Sequence, residues 1–245
     1  MPYRKEQFDT GKIYHLVLRG IDDNKLFKDT DDYYRGIFSI YEFNTINPVE
    51  ILKRRSARSR IKRFLKKIEK SGGGPSSASF DLRDKLVEIF TFSLMPNHIH
   101  LLVRQIKDGG IIKFMSKFGT GYAGYFNKKY SRKGHVFQNR FLSVHIKTDE
   151  QLKIVFAYIH ANPVSLIEPK WKERGICNFR KAVKFLENYK WSSYLDYLRK
   201  VNFPSVTERE FILETMGGQG KCEEFLEDYI KYRGKIKEFP ELALE

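Results

Sequence analysis

The chain opens with apolar and polar positions that follow first the period of a strand and then that of a helix. Residues 12–19, KIYHLVLR, are mostly apolar and β-prone and are closed by Gly20, so they predict a strand. Residues 30–44 place apolar side chains at helical spacing, and Thr30 can cap their start. A strand followed by a helix is therefore predicted.

The same patterning returns after residue 80. Residues 87–94 and 98–103 predict two strands joined by a tight turn at 95–97, and hence a hairpin. A helix over 111–130, a strand over 140–147 and a helix over 149–162 follow. This order matches a ferredoxin-like split βαβ fold of the α+β class. We expect an antiparallel sheet with helices on one face and the other face left for ligands.

Residues 47–80 interrupt this pattern and are interpreted as an inserted basic arm. Ten of the residues in 53–70 are Lys or Arg and one is acidic, and the following stretch SGGGPSSAS has the composition of a flexible linker. The arm is either a solvated charged loop or a nucleic-acid contact. We interpret 1–200 as one domain that carries the arm, and 201–245 as a helical C-terminal extension.

The overall charge favours a polyanionic partner. The chain has 45 Lys and Arg against 30 Asp and Glu, a formal net charge of +15. Such a surface attracts nucleic acid through its long-range field and counterion release. A protein that is merely basic remains an alternative, and a membrane-surface protein would need a basic amphipathic helix, for which the case is weak.

Features of other protein classes are missing from the sequence. It has no run of about 20 apolar residues and no apolar signal core at its start, which predicts neither a membrane span nor export. Cys177 and Cys222 are far apart and form no CxxC pair, so no disulfide framework or zinc knuckle is indicated. We expect a cytoplasmic protein with no membrane partner.

His98 and His100 are the first candidates for chemistry. They are two positions apart on a predicted strand, so both side chains point to the same face. Two neighbouring imidazoles can hold one divalent metal through ring nitrogens. An isolated HxH is more often two histidines without a ligand, so the pair gains meaning only from its surroundings.

The second candidate is the helical segment FAYIHANPV. Tyr158 and Asn162 are four positions apart and share a helical face. The tyrosine offers a phenolic nucleophile, and the asparagine offers a carbonyl oxygen that suits Mg²⁺ or Mn²⁺. The alternative is a packed tyrosine followed by a helix-ending Asn-Pro, since Pro163 disfavours further helix.

Several segments together resemble a known family. LMPNHIHLLV, GHVFQNRF and YIHANPV are similar to the HUH single-tyrosine transposases, and above all to the REP-associated tyrosine transposases. GKIYHLVLRG, LFKDTDDYY and WSSYLDY also resemble that branch. The resemblance covers roughly 8–46 and 84–200, and it leaves the long arm and the tail after about 205 without a counterpart.

The resemblance implies a function and a set of roles. It makes 1–200 a catalytic domain in which His98 and His100 bind a metal, Asn162 is a third ligand and Tyr158 is the nucleophile. It implies a Mg²⁺- or Mn²⁺-dependent endonuclease and strand transferase that forms a 5′-phosphotyrosine link at hairpin-forming repeats. The expected partner is single-stranded or hairpin DNA, the expected state a monomer or homodimer, and the expected location the nucleoid.

Further candidates lie around the long helix. Tyr122, Tyr125 and Tyr130 are rival nucleophiles, but none is followed four residues later by an amide residue and a proline. Basic residues around this helix are candidate phosphate contacts. They are Arg104, Lys113, Lys117, Lys128, Lys129, Arg132, Lys133 and Arg140.

Other histidines and other functions stay open. His15 and His145 lie on predicted strands and either face the ligand side or form ordinary hydrogen bonds, whereas His160 points away from Tyr158 and is interpreted as structural or DNA-facing. One alternative function is a domesticated, non-catalytic binder of structured DNA or RNA. Another is a metal-dependent nuclease that uses water and would keep its activity without Tyr158.

Overall fold

The computed structural model describes residues 7–50, 81, 83–138 and 140–232. The predicted elements are all present within these ranges. They are β1 (Ile13–Arg19), α1 (Thr30–Phe43), β2 (Val87–Leu94), β3 (His98–Gln105), α2 (Gly110–Lys129), β4 (Leu142–Ile146) and α3 (Asp149–Ala161). Most of the basic arm, residues 51–80, lies outside the described residues, as does the end of the tail from 233.

Five α-helices follow α3 in the described part of the chain. A 3-10 turn, Asn162–Leu166, leads directly into this part of the chain. The helices are α4 (Trp171–Arg174), α5 (Phe179–Asn188), α6 (Tyr194–Tyr197), α7 (Glu210–Met216) and α8 (Gln219–Tyr232). The described part of the predicted C-terminal extension thus contains two helices, α7 and α8.

The four strands form one antiparallel sheet in the order β2-β3-β1-β4. Each of the two βαβ units places a strand of the other unit between its own strands, which is the predicted split arrangement. The hairpin between β2 and β3 turns at Met95–Asn97, where the amide of Met95 donates to the carbonyl of His98 over 2.8 Å. The ferredoxin-like fold is therefore confirmed.

On the first face of the sheet, alternate residues of β1 and β3 are apolar and form a core with α1 and α2. Leu16 and Leu18 of β1 and Ile99 and Leu101 of β3 are buried there beneath α1 and α2. The cap of α1 differs from the prediction: Asp29, one residue before Thr30, accepts from the amide of Asp32. A carboxylate caps a helix start as well as a hydroxyl does and also suits the helix dipole.

The second face is not left open, so the expectation of helices on one face only was wrong. α3 crosses the β2–β3 half of this face, and α8 packs against α3 from outside. Phe90, which a β-bulge turns toward this side, and Leu102 join the buried cluster that these helices form. The burial of this apolar surface favours the packing of α3 and α8 over the second face. The second face is less completely covered near β4, where the side chain of Leu142 is 44% exposed.

Among the described helices, none combines the length and apolar character needed to cross a lipid bilayer.

Candidate active site

His98 and His100 lie side by side on the second face of the sheet. Their strand β3 pairs with β1, so that His98 faces Arg19 and His100 faces Val17 in the register. The two imidazole rings have centroids 4.8 Å apart and are nearly perpendicular. His98 is 8% exposed and His100 is fully buried. The predicted shared face is therefore present, and it is covered rather than open.

The end of α3 brings the second pair of candidates to these histidines. The Tyr158 ring lies 5.9 Å from the His100 ring, edge to face. The amide nitrogen Nδ2 of Asn162 lies 3.0 Å from Nε2 of His100. All four residues that the sequence singled out thus meet at one place, although two of them lie some sixty positions after the others.

The backbone at Asn162 explains this placement. Asn162 keeps helical dihedral angles, φ −52° and ψ −39°, and its amide still donates to the carbonyl of Tyr158. The chain then tightens into the 3-10 turn, in which Pro163 is buried. The α-helix ends at Asn162, its C-cap, as the following proline predicted. The retained helical geometry points the side chain of Asn162 inward at His100.

Burial and neighbouring cations keep both histidines neutral. Burial lowers the pKa of His98 to about 3, and Arg19 and Lys172 add to the effect. Burial also holds the pKa of His100 well below its usual value, with further contributions from His98 and Lys172. Neutral imidazole is the form that binds metals, so these rings are ready ligands at neutral pH.

The donor set fits a divalent ion. Two imidazole nitrogens and one amide oxygen would come from His98, His100 and Asn162, whose side chains converge at the end of α3. Imidazole and carbonyl ligands together suit Mn²⁺ and accept Mg²⁺. The described residues hold no cluster of three or more His, Cys, Asp or Glu suited to a metal. The candidate set therefore relies on an amide, that of Asn162, beside the two imidazoles.

Four further residues border the site, and three of them were not predicted from the sequence. Lys172 places its ammonium nitrogen 5.3 Å from the centre of the Tyr158 ring. Its neighbour Trp171 is 1% exposed, with its ring 6.3 Å from that of Tyr158, and so anchors the short helix α4. Arg19 was also missed. For Trp171 and Lys172 the signal in the sequence was weak, because their segment KWKER has a composition typical of many solvated helices. His15, which had been left open, contacts His100 directly.

The other histidines lie away from this cluster of side chains or hold it from behind. His160 is fully buried, and its Nε2 lies 3.1 Å from Oγ1 of Thr91 and 2.8 Å from Oγ of Ser193, which fixes α3 against β2. Of the two interpretations of His160, the structural one is therefore favoured over a contact with DNA. His145 stacks on Tyr14, on the first face of the sheet.

The rival tyrosines belong to the packing of α1 against α2. Tyr122 donates its hydroxyl to the carbonyl of Leu26 over 2.7 Å. Tyr125 and Tyr130 donate theirs to the buried carboxylate of Asp32. All three hydroxyls are therefore engaged on the side of the sheet that carries α1 and α2, away from His98 and His100, and the arrangement favours Tyr158 as the nucleophile.

Three of the predicted phosphate contacts are engaged within the protein. Arg104 is paired with Glu88. Lys117 donates to the backbone carbonyls of Thr45 and Asn47. Lys129 forms salt bridges of 2.7 and 2.8 Å with Asp29 and Asp32. Such pairing ties these three charges to the fold, so they are poor candidates for phosphate binding.

The other predicted contacts lie at the surface. Lys113, Lys128, Lys133 and Arg140 are exposed, and Arg132 is half-buried with its guanidinium 5.6 Å from the centre of the Phe126 ring. Arg140 also lines a groove of about 1060 Å³ between α2 and residues 134–138 and 140–141. The groove and these cations together remain the candidate DNA surface.

Comparison with known proteins bears directly on these residues. Residues 78–162 match the model of a family described as IS200-like transposases. The resemblance to single-tyrosine transposases is confirmed. His98, His100, Tyr158 and Asn162 all fall inside the segment that is similar to IS200-like transposases, with Asn162 at its last position.

No curated protein matches the chain. A solved structure of a REP-associated tyrosine transposase bound to a REP hairpin is similar, with 12% identity and a TM-score of 0.44. The alignment covers 86% of this chain and 96% of that one.

Proposed function

We propose that this protein is a transposase that cuts and rejoins single-stranded DNA through a covalent bond to Tyr158. The observation that carries the proposal is the meeting of Tyr158 and Asn162 with His100 on the covered face of the sheet. A phenol, two neutral imidazoles and an amide together supply a nucleophile and a metal site. A protein that only binds nucleic acid has no need of this combination.

His98, His100 and Asn162 would hold a divalent ion, Mg²⁺ or Mn²⁺. When bound there, such an ion neutralises charge on a non-bridging phosphate oxygen and so makes the phosphorus easier to attack. The protein contributes the fixed geometry of the three ligands. His98 and His100 are set by the pairing of β3 with β1, and Asn162 is set by the 3-10 turn.

The covalent step exchanges one phosphodiester for another. The phenolic oxygen of Tyr158 forms a bond to phosphorus while the bond from phosphorus to the 3′-oxygen breaks. The phenol loses its proton, and the departing 3′-oxygen gains one to become a hydroxyl. The phosphate remains linked to the 5′ end of the cut strand and now to Tyr158. Since no phosphodiester is hydrolysed, another 3′-hydroxyl reverses the step and joins the strands without ATP.

Lys172 is suited to assist Tyr158. Its ammonium lies over the tyrosine ring, and a positive charge stabilises the negative charge that develops on the phenolic oxygen as the proton leaves. The low dielectric of the covered face strengthens this interaction. The burial of Trp171 in the core holds α4, and with it Lys172, at this distance.

The substrate is proposed to be single-stranded or hairpin DNA. The net charge of +15 favours a polyanion, and the related structure is described as bound to a REP hairpin. The exposed Lys113, Lys128 and Lys133 with the groove beside Arg140 would contact its backbone. We propose that the chain acts as a monomer or homodimer in the cytoplasm, at the nucleoid.

A denaturing gel tests the proposal. The protein is incubated with hairpin single-stranded DNA labelled at its 3′ end and with Mn²⁺. We expect a slowly migrating protein–DNA adduct that is lost in Tyr158→Phe and in His100→Ala. Tyr125→Phe, which removes the hydroxyl of a rival tyrosine, should leave the adduct in place. Cleavage without an adduct would indicate a nuclease that uses water, and tight binding without cleavage would indicate a non-catalytic binder.

A further inference from the structure

His15 is a buried histidine that touches the candidate metal site from behind. It lies on β1 and is fully buried on the same face as His100. In the register, Val17 is directly opposite His100, so His15 is its diagonal neighbour across the strand pair. Nε2 of His15 lies 2.9 Å from Nδ1 of His100. The ring of His100 is therefore in contact at both nitrogens, with His15 on one side and Asn162 on the other.

The chemistry of the amide determines the direction of these hydrogen bonds. An amide nitrogen only donates, so Nδ2 of Asn162 donates to Nε2 of His100. In a neutral imidazole, one nitrogen accepts and the other carries the proton. The proton of His100 is therefore on Nδ1, and this N–H donates to Nε2 of His15.

We propose that His15 is a positioning residue, which holds His100 in the Nδ1–H tautomer and so keeps a lone pair on Nε2. In the metal-free protein this lone pair accepts from the amide of Asn162, and it would be available to the divalent ion once that amide turns its oxygen toward the ion. The inference rests on the proposed function, because it assigns Nε2 as the ligand atom. A histidine that binds a metal through one nitrogen usually donates the other N–H to a neighbouring acceptor, which fixes both the tautomer and the orientation of the ring. His15 supplies this acceptor.

The packing of the rings supports the assignment. The rings of His15 and His100 are 20° from parallel, with centroids 5.2 Å apart. The Tyr158 ring stands edge-on to both, 6.1 Å from His15 and 5.9 Å from His100. His15 therefore fills the space behind the metal ligand and beside the proposed nucleophile. Its removal would disturb packing as well as hydrogen bonding, so a test must separate these two effects.

Two substitutions make that separation. His15→Phe keeps an aromatic ring of similar size but removes the acceptor. His15→Gln loses the ring but can place an amide oxygen near the position of Nε2, so it restores an acceptor. A role in packing alone predicts that Phe is the milder change, whereas a role in positioning predicts that Gln is. His145→Phe is the matched control, because His145 stacks on Tyr14 on the opposite face of the sheet.

The first measurement needs no metal. Long-range ¹H–¹⁵N correlation spectra of the metal-free, full-length protein show which nitrogen of each histidine carries the proton. We expect the His100 signals of the wild type, identified by their loss in His100→Ala, to show the proton on Nδ1. A proton on Nε2 of His100 would overturn the proposal, whatever the variants do.

The second measurement is the Mn²⁺ affinity of the metal-free protein by titration calorimetry. Loss of a residue that orients a metal ligand typically weakens binding by about 10- to 100-fold, which is the expectation for His15→Phe. His15→Gln should recover most of that affinity, and His145→Phe should match the wild type. Mn²⁺ binding by His15→Phe as tight as that of the wild type would overturn the role of His15 and leave the proposed function intact. Absence of Mn²⁺ binding by the wild type would instead contradict the proposed function.

Discussion

The side-chain amide of Asn162 lies 3.0 Å from Nε2 of His100, so the end of the helix that carries Tyr158 is joined directly to the strand that carries the two histidines. This contact unites two halves of a candidate site that are weak signals when taken separately. A pair of histidines on a strand and a tyrosine on a helix are each common, and their convergence is what specifies chemistry.

Asn162 is expected to contribute to metal affinity through its amide oxygen. Asn162→Ala should weaken Mn²⁺ binding by about tenfold or more, because a ligand is lost. Asn162→Asp supplies a carboxylate oxygen, which hard cations prefer, and should bind at least as tightly as the wild type. Calorimetric titration measures both, with Asn188→Ala on the exposed end of α5 as the control. Equal affinities for the wild type and Asn162→Ala would exclude Asn162 as a ligand.

Tyr158 and His100 are expected to act within the same chain. Their rings are 5.9 Å apart in one molecule, so the site is complete without a second copy. A mixture of Tyr158→Phe and His100→Ala proteins should therefore form no covalent adduct with 3′-labelled hairpin DNA. Adduct formation by the mixture, when neither protein forms it alone, would show that the nucleophile of one subunit serves the histidines of another.

Asp32 should make stability depend on pH in the acid range. Burial by itself raises the pKa of Asp32, but hydrogen bonds from Lys129, Tyr130 and the backbone of Lys28 outweigh this effect and hold the pKa below its ordinary value. The carboxylate is thus stabilised in the folded state. The contribution of Asp32 to the free energy of unfolding is fully present above its pKa in the unfolded chain, about 3.9. It is lost as the pH falls through the lower pKa that Asp32 has in the folded protein.

Urea unfolding between pH 7 and pH 2 measures this effect. At pH 7, Asp32→Asn should lower the free energy of unfolding by about 1–3 kcal/mol, since bonds to a charged acceptor are weakened. The difference from the wild type should shrink below about pH 4. Asp31→Asn, at the exposed neighbouring position, should change little. A difference that stays constant across the whole pH range would contradict the assignment.

Two glycines of α2 should respond to alanine in opposite directions. A Cβ on Gly121 would lie 2.2 Å from the ring of Phe43 in α1, so Gly121→Ala should destabilise the fold by about 1–3 kcal/mol. A Cβ on Gly119 would meet nothing within 4 Å, so Gly119→Ala should stabilise it by up to about 1 kcal/mol. Thermal unfolding distinguishes them. Equal changes in the melting temperature of the two variants would show that Gly121 is not required by the close packing of α1 on α2.

The sequence was informative wherever local patterning decides structure. The alternation around His98 and the turn at Met95–Asn97 predicted the hairpin, and helical spacing placed Tyr158 and Asn162 on one face. It was uninformative where distant segments meet. The contact of His15 with His100 depends on strand register, and the position of Lys172 depends on how Trp171 packs. The covering of the second face depends on where α3 packs: its helical pattern was predicted, but no local pattern specifies that it lies on β2 and β3 or that α8 lies on it.

The packing of α8 against α3 has a consequence for how fast the proposed enzyme can work. Residues 219–232 belong to the tail for which the sequence resemblance offered no counterpart, yet they pack on the helix that carries Tyr158. A nucleophile that is immobilised before substrate arrives has already lost its translational and rotational freedom. Less entropy is then lost when the DNA-bound enzyme reaches the transition state, and the phenol acts at a high effective concentration. The tail helix α8 would in this way contribute to the rate of the covalent step.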